Sequence, residues 1–368
     1  MISINAGFNF DPELPDIIAN LNHADPEGLN AKVTEVYGSV PGIGLGSVRS
    51  KSRLKDLDID ETCEILQKLV DVGIEMNYTV NTSSIGTLAD VSRLLLLEGY
   101  SYLRILVRNK LIKRLTVSHP LLMEILSGDL GVPIEVSTVT SVETPGQLIA
   151  LHKRAPTIDK ICMNLNHNRN FSMLRAFVKL GKELGIKIEL LVNEFCTYRC
   201  VDRDYCYALQ SCQTARETLY DTYPHGRCIA TRDDPVEWLK ARFILPQWMQ
   251  IYSKWLGVKH FKLTGRTHPT PYIKRMIEIY LSEDFGGNLL DLWAHLENIE
   301  SEEEVGPKFY IPVVSNKDKE ESEELQKGIT WNGYIMPPKR WNTCDRTCDV
   351  GCNHCRDYLK KIGHKTLR

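Results

Sequence analysis

Cysteines are the residues of this chain whose number and spacing point most directly to chemistry. The chain has 11 cysteines in 368 residues. Five of them lie between Cys196 and Cys228, and four more crowd the segment CDRTCDVGCNHC near the C-terminus. Thiolates are soft ligands that suit zinc, copper(I) and iron–sulfur clusters. The distribution therefore predicts metal ligation, whereas Cys63 and Cys162 are interpreted as spare thiols.

The first group of cysteines has an open spacing. Its members are, in chain order, Cys196, Cys200, Cys206, Cys212 and Cys228. The gaps are wider than those of the paired knuckles that hold structural zinc, so we expect a [4Fe–4S] cluster, with zinc as the alternative. A helix through Cys206 and Cys212 would separate them by about 240° around its axis, so at most one of the two would face a cluster. Cys196 and Cys200, which share one strand-end loop, are the favoured ligands, and the family resemblance described below adds Cys228. A fourth thiolate would come from Cys206, Cys212 or the C-terminal group.

The second group of cysteines supplies a further set of ligands. It consists of Cys344, Cys348, Cys352 and Cys355. The last three have the spacing of radical S-adenosylmethionine enzymes, in which three thiolates leave one iron free. That motif ordinarily follows the first strand of its barrel, whereas here it trails the last, and Cys344 offers a fourth ligand that would close the site. The cysteines thus predict one [4Fe–4S] cluster or two.

Composition and charge exclude some classes of partner. The net charge of −2 and a pI near 6.6 provide no global basic field for nucleic acid. No apolar run approaches the roughly 20 residues of a membrane-spanning helix. The N-terminal MISINAGFNFD has the pattern of a strand and not of a signal peptide. We therefore expect a cytoplasmic protein without a membrane partner, in a compartment that favours metal ligation over disulfides.

Apolar strand segments alternate with segments of helical spacing along the first part of the chain. Eight strands with helical crossovers predict an α/β fold, a TIM-like (β/α)8 barrel. The predicted strands are Ile2–Phe8, Lys32–Val40, Gly73–Val80, Tyr102–Val107, Ile134–Val139, Lys160–Leu165, Lys187–Val192 and Val258–Gly265. An open doubly wound sheet is the alternative. Its phosphate-binding fingerprint is G-x-G-x-x-G, whereas PGIGLGS contains G-x-G-x-G. We interpret that glycine-rich stretch as a turn that shapes the barrel mouth.

Two domains are predicted from this pattern. Residues 1–295 form the TIM-like barrel, with the cysteine-rich loop 196–228 inserted after the seventh strand. Residues 296–368 form a C-terminal extension that carries the cysteine cluster 344–355. The extension begins with a charged, proline-interrupted stretch, which is typical of a solvated excursion.

Polar residues just past the strands are the candidate site, because barrel enzymes keep their chemistry at the carboxyl ends of the strands. Glu194 follows the seventh strand as a carboxylate base or a loop cap, and His268 follows the eighth. The predicted substrate ligands are Asn164, Asn166, Lys262 and Arg266. The two cations would hold an anionic substrate by charge-assisted hydrogen bonds. The alternative is an inward ion pair that fills the barrel.

Two motifs resemble the collagenase-like peptidase family U32. The family has a TIM-like barrel and a late K-x-E-G-R motif, which FKLTGR resembles together with the preceding run RFILPQWMQIYSKWLGVKH. Thr264 stands where the family has glutamate, so that carboxylate has no counterpart here. NEFCTYRC and HGRC resemble a divergent form of the family's strand that ends in glutamate and is followed by cysteines. The resemblance covers roughly residues 1–290.

The resemblance implies an iron–sulfur enzyme. Members of this superfamily hold a [4Fe–4S] cluster on the loop that resembles residues 196–228, and they hydroxylate ubiquinone precursors, tRNA or ribosomal RNA without oxygen. Others are described as peptidases. The C-terminal cysteines are not part of that pattern, which suggests a separate branch.

Three functions follow as expectations. The first is an iron–sulfur oxidoreductase, a hydroxylase or related redox modifier of a small molecule or RNA. The second is a peptidase or other hydrolase that uses Glu194 and His268 around a metal-bound water. The third is a partner-binding subunit whose cluster is structural or only relays electrons, with a partner barrel protein or an electron donor. A radical S-adenosylmethionine-like enzyme that uses Cys348, Cys352 and Cys355 is a further alternative.

Overall fold

The computed structural model describes residues 1–24, 30–49, 54–85, 88–194, 196–211, 235–285, 292 and 352–361. Its centre is a closed barrel of eight parallel strands in chain order, with β8 hydrogen-bonded to β1. The strands are β1 Ile2–Gly7, β2 Ala31–Gly38, β3 Glu75–Val80, β4 Arg114–Val117, β5 Ile134–Val136, β6 Ile158–Cys162, β7 Lys187–Leu191 and β8 His260–Lys262. The predicted TIM-like (β/α)8 fold is confirmed.

Helices surround the barrel and connect its strands. Those of six or more residues are α1 Leu14–His23, α2 Ile59–Asp71, α3 Leu88–Leu96, α4 Glu98–Arg108, α5 Pro120–Leu130, α6 Pro145–Arg154, α7 Phe171–Leu184, α8 Arg203–Ser211, α9 Pro235–Lys240, α10 Thr270–Leu281 and α11 His354–Lys361. Short 3₁₀ turns at Thr138–Thr140 and Leu165–Arg169 follow β5 and β6. No helix in the described part of the chain is long and apolar enough to cross a membrane.

The predicted fourth strand was wrong. Tyr102–Val107 lies inside helix α4, and the fourth strand is the later segment Arg114–Val117. In α4 the buried positions Tyr100, Leu103 and Leu106 recur every third residue, which is the period of a helix and not of a strand. The strand RLTV has only four residues, so its pattern is weaker than that of the longer apolar run in α4. Arg108 therefore ends a helix and does not follow a strand.

Local signals in the sequence account for where the helices begin. Helix α2 starts with a capping box, in which the Asp58 side chain accepts from the Glu61 amide at 2.8 Å and the Glu61 side chain accepts from the Asp58 amide at 3.1 Å. Helix α6 begins with the same device at Thr144 and Gln147. Their apolar faces pack on the barrel and bury the layer between helices and strands.

Charged side chains fill the inside of the barrel. Lys160 Nζ lies 2.9 Å from Glu135 Oε2 and 2.9 Å from Glu189 Oε1, and it also contacts Glu35. Lys262 Nζ lies 2.6 Å from Glu135 Oε1 and 3.5 Å from Glu189 Oε2. The interior is therefore a packed polar core and not a pore, and chemistry on a substrate has to take place at a barrel end.

Candidate functional site

Helix α8 of the cysteine-rich loop lies across one side of the barrel mouth. Four sets of side-chain contacts tie it to the loops that follow β2, β3, β5 and β6. They are Arg49 Nη1 to Gln210 Oε1 at 3.0 Å, Ser83 Oγ to Ser211 Oγ at 3.0 Å, Ser141 Oγ to Asp204 Oδ1 at 3.0 Å, and Arg203 to Asn164 and Asn166. The cysteine-rich segment thus meets the strand ends where polar side chains converge.

Arg203 joins the cysteines to the end of β6. Its Nε donates to the sulfur of Cys196 at 3.1 Å, and its Nη2 donates to the carbonyl of Thr197 at 2.9 Å. Its Nη1 donates to Asn164 Oδ1 at 3.3 Å and to Asn166 Oδ1 at 3.1 Å. Two predicted substrate ligands therefore hold an arginine of the cysteine loop. The sequence analysis missed Arg203, and its place three residues after Cys200 in a cysteine-rich loop was the available signal.

The described thiols of this loop are half-buried at the mouth. Burial raises the pKa of Cys196 to about 12, and the positive charge of Arg203 opposes that effect. Cys206 accepts a hydrogen bond from Gln210 Nε2 at 3.4 Å. Cys200 lies close enough to Cys196 for a negative charge on one thiol to raise the pKa of the other. Thiolates are soft donors, so these cysteines are the residues of the loop that could hold zinc or an iron–sulfur cluster.

A different cysteine lies in the barrel interior. In the described part of the chain, the donor atoms of Glu135, Cys162 and Glu189 lie within 4.8 Å of one another. Both carboxylates contact Lys160 and Lys262, so this group belongs to the interior ion network. Cys162 is fully buried and its pKa is raised by burial, in keeping with a spare thiol.

The end of the chain returns to the same side of the barrel as the cysteine loop. Helix α11, which holds Cys355, packs against α9, the helix that follows that loop. Helix α9 is in turn held near the end of β6, because Arg169 Nη1 donates to the carbonyl of Leu239 at 2.9 Å. Cys352 and Cys355 are half-buried, and Cys355 packs against the core. The remaining predicted ligands lie outside the described residues; they are Cys228, Cys344 and Cys348.

Glu194 and His268 both lie at the mouth, on different loops. Burial raises the pKa of Tyr37 to about 12, and the negative charge of Glu194 acts on it in the same direction, as it does on Cys196. Glu194 is therefore near enough to both Tyr37 and Cys196 for its charge to act on them. His268 is buried, and its ring centroid is 4.7 Å from that of Tyr272. Burial and the nearby Arg49 lower its pKa.

A cavity of about 270 Å³ opens at the ends of β1, β2 and β8. Its lining residues are Phe8, Asn9, Phe10, Ser39, Leu54, Lys55, Arg266, Thr267, His268 and Pro269. Arg266 is 5% exposed and donates to the hydroxyls of Ser39, Ser47 and Thr79. The two cations of FKLTGR therefore differ, because Lys262 lies in the ion network and Arg266 lines the cavity.

The glycine-rich loop that follows β2 helps to form this end of the barrel, as the sequence predicted. Gly42, Gly44 and Gly46 have positive φ angles, which favour glycine. The amide of Gly44 donates to the carbonyl of Gly99 at 2.8 Å, which fastens the loop to helix α4. Within this loop, Ser47 accepts a hydrogen bond from Arg266 and Arg49 donates one to Gln210. The loop therefore connects the cavity with helix α8.

Comparisons with known proteins give one curated relative and several solved structures. No family model matches the sequence. An uncharacterized protease of Methanocaldococcus jannaschii is 25% identical over 293 residues, which are 78% of this chain and 77% of the relative.

The structure of a U32 peptidase has a TM-score of 0.45 and 15% identity, and the match covers 72% of this chain and 92% of that one. A dihydrodipicolinate synthase family protein of Coccidioides immitis has a TM-score of 0.35 and 11% identity, over 89% of this chain and 94% of that one. The chain is thus similar to a curated protein named as a protease, and the solved structures that it matches include a U32 peptidase, a member of the family that its sequence motifs resemble.

Proposed function

We propose that this protein is an iron–sulfur oxidoreductase whose centre is held by cysteines at the carboxyl-end mouth of the barrel. The observation that carries the proposal is that Arg203 contacts the Cys196 sulfur on one side and the strand-end residues Asn164 and Asn166 on the other. Thiols near an arginine at the reactive end of a TIM-like barrel suit an anionic cluster better than a structural zinc knuckle. By its resemblance, the reaction is an oxygen-independent hydroxylation or a related redox modification of a small molecule or RNA.

The residues of the chain divide the work between ligation and positioning. Cys196 and Cys200, with Cys228, are the first ligands, and the C-terminal cysteines are the second group. A bound [4Fe–4S] cluster would supply one-electron transfer at the mouth. Arg203 holds the Cys196 sulfur against the end of β6 by its contacts on both sides, so its role is to orient the ligand loop.

Iron content of two cysteine variants tests the proposal. Protein purified without oxygen should contain iron and acid-labile sulfide and absorb in the visible range. Replacing Cys196 with alanine should remove iron that Cys352→Ala leaves in place if two centres exist, whereas equal and total loss in both variants indicates one shared centre. Cys63→Ala is the matched control, because this half-buried thiol lies on helix α2, and it should keep the full iron content. A colourless protein with stoichiometric zinc would contradict the proposal.

A hydrolase is the second candidate, favoured by the description of the curated relative as a protease. Glu194 and His268 both lie at the mouth and are the residues that could serve a metal-bound water. Metal-dependent cleavage of peptides that is lost in both Glu194→Gln and His268→Ala would support it. Cleavage that persists in either variant would contradict this assignment.

A further inference from the structure

We infer that the cavity between the ends of β1, β2 and β8 binds an oxyanion of a small acidic ligand, held by the guanidinium of Arg266. The cavity volume of about 270 Å³ leaves room for a small ligand, although it is slightly below the roughly 300–1,000 Å³ of typical small-molecule sites. The inference rests on the proposed function only in treating this ligand as the substrate of that centre. The anion site itself stands on the charges and contacts of the cavity.

The first observation is that Arg266 is a buried cation without a carboxylate partner in the described part of the chain. Its side chain contacts three hydroxyls, those of Ser39, Ser47 and Thr79. Hydroxyls satisfy N–H donors but carry no charge, so the positive charge remains uncompensated. A buried charge without a counter-charge is costly, and a protein retains one where a ligand supplies the missing partner.

The second observation is the contrast with a buried arginine of the same barrel. Arg114 is also 5% exposed, and it contacts the carboxylates of Glu35 and Asp159. The two lysines of the interior likewise contact glutamates. The barrel therefore compensates its interior cations with acidic side chains but surrounds Arg266, at the mouth, with hydroxyls.

The third observation is that further positive groups face the same cavity. Lys55 lines it, and its ammonium donates to the carbonyl of Phe10 at 3.1 Å. Arg49 lies near enough for its charge to act on both Arg266 and His268. Asp11 accepts from the hydroxyl of Thr270 and lies near enough to Lys55 for their charges to interact, so one acid faces three cations. The local excess of positive charge attracts an anion and would repel a cationic ligand.

The shape of the guanidinium site narrows the chemistry of the ligand. The Nη1 and Nη2 groups of Arg266 are engaged by hydroxyls, while its Nε has no hydrogen-bond partner among the described residues. An arginine edge with open N–H donors suits the oxygens of a carboxylate or a phosphate. Gly7 makes the position possible, because a Cβ there would lie 2.7 Å from the backbone nitrogen of Arg266.

Thermal unfolding of the full chain in the presence of oxyanions tests this inference. Sodium phosphate and sodium malonate are titrated separately at constant ionic strength against sodium chloride. The wild-type protein should show a saturable rise of its melting temperature with one of the two oxyanions, and that difference distinguishes a phosphate from a carboxylate site. The concentration for half of the rise should increase at least about ten-fold in Arg266→Met, as expected when a charge-assisted hydrogen bond is lost.

Controls separate binding from folding. Arg104→Met removes an exposed arginine that pairs with Asp129 at 3.1 Å, and it should keep the full oxyanion response. Without an oxyanion, Arg266→Met should melt at or above the wild-type temperature, because an uncompensated buried charge is gone. If Arg266→Met does not fold, Ser47→Ala is the deciding variant. It keeps the charge of Arg266 but removes one hydroxyl that orients the guanidinium, so it should weaken the rise of the melting temperature with oxyanion.

Two results would overturn the inference. One is the absence of a saturable oxyanion response in the wild-type protein, and the other is an unchanged response in Arg266→Met or, if that variant does not fold, in Ser47→Ala. Iron is measured in the same samples. A protein that lacks iron but keeps the response would refute the proposed function and leave the anion site standing.

Discussion

The environment of a single charged side chain decides what it does in this barrel. Lys262 and Arg266 are four residues apart and both are buried. Lys262 lies between Glu135 and Glu189, so its charge is compensated inside the protein. Arg266 lies among hydroxyls at the mouth, so its charge remains available to a ligand. Residue type and sequence spacing alone do not predict that these two cations have different surroundings.

Lys160 provides the test at this scale. It contacts three buried glutamates, and its removal in Lys160→Met leaves them with only Arg114 and Lys262 as counter-charges. We expect a loss of about 3–5 kcal/mol of unfolding free energy near neutral pH, measured by denaturant titration. Lys274→Met is the matched control, because this exposed lysine lies 3.7 Å from Glu278, and it should change stability by less than about 1 kcal/mol. A deficit no larger than that of the control would contradict the ion network.

The deficit of Lys160→Met should depend on pH. Burial alone would raise the pKa of Glu35 and Glu135, but Lys160 and its neighbouring cations outweigh burial and hold both below the usual 4.5. Groups with a lowered pKa contribute stability above their unfolded value and lose it as the pH falls. Glu189 acts in the opposite sense, since burial raises its pKa. The wild-type protein should therefore lose stability below about pH 4.5, and the gap to Lys160→Met should narrow there.

At the scale of the elements, two helical glycines offer a matched pair. A Cβ at Gly99 in helix α4 would lie 2.3 Å from the carbonyl oxygen of Gly42, whereas a Cβ at Gly128 in helix α5 would have no atom within 4 Å. Gly99→Ala should therefore displace the glycine-rich loop and lower the melting temperature. Gly128→Ala should be neutral or stabilise by up to about 1 kcal/mol, because alanine favours a helix. Similar melting temperatures for both variants would show that the close approach of α4 and the loop does not matter.

The elements also show what the sequence could predict. Seven of the eight strands can be predicted as apolar segments between segments of helical period. The capping box of α2 can also be recognised, because Asp58 and Glu61 have its spacing. The strand Arg114–Val117 is too short to compete with the apolar run of α4. The contact of Arg203 with Asn164 depends on how α8 folds back over β6. Such a contact joins residues distant in sequence, and no local spacing reports it.

For the whole molecule, the cysteine loop and the chain end should respond together to iron. Helix α8 lies on the mouth, and α11 packs on the helix that follows the cysteine loop. If cysteines of both segments hold one centre, iron loading without oxygen should slow amide hydrogen exchange in α8 and α11 while strands such as β3 change little. Protection of α8 alone would assign the centre to the loop cysteines. No protection in either helix would place the metal elsewhere.

The division of the barrel mouth sets a length requirement for any molecule that reaches both halves. Helix α8 covers the side of β2, β3, β5 and β6, and the cavity opens on the side of β8, β1 and β2. Tyr37 is near both Arg266 and Glu194, and Glu194 is also near Cys196. A ligand whose acidic end binds Arg266 must extend past Tyr37 and Glu194 before its other end approaches Cys196. The mouth would thus select substrates by length. An acid too short to span it could bind the guanidinium of Arg266 but would not reach Cys196.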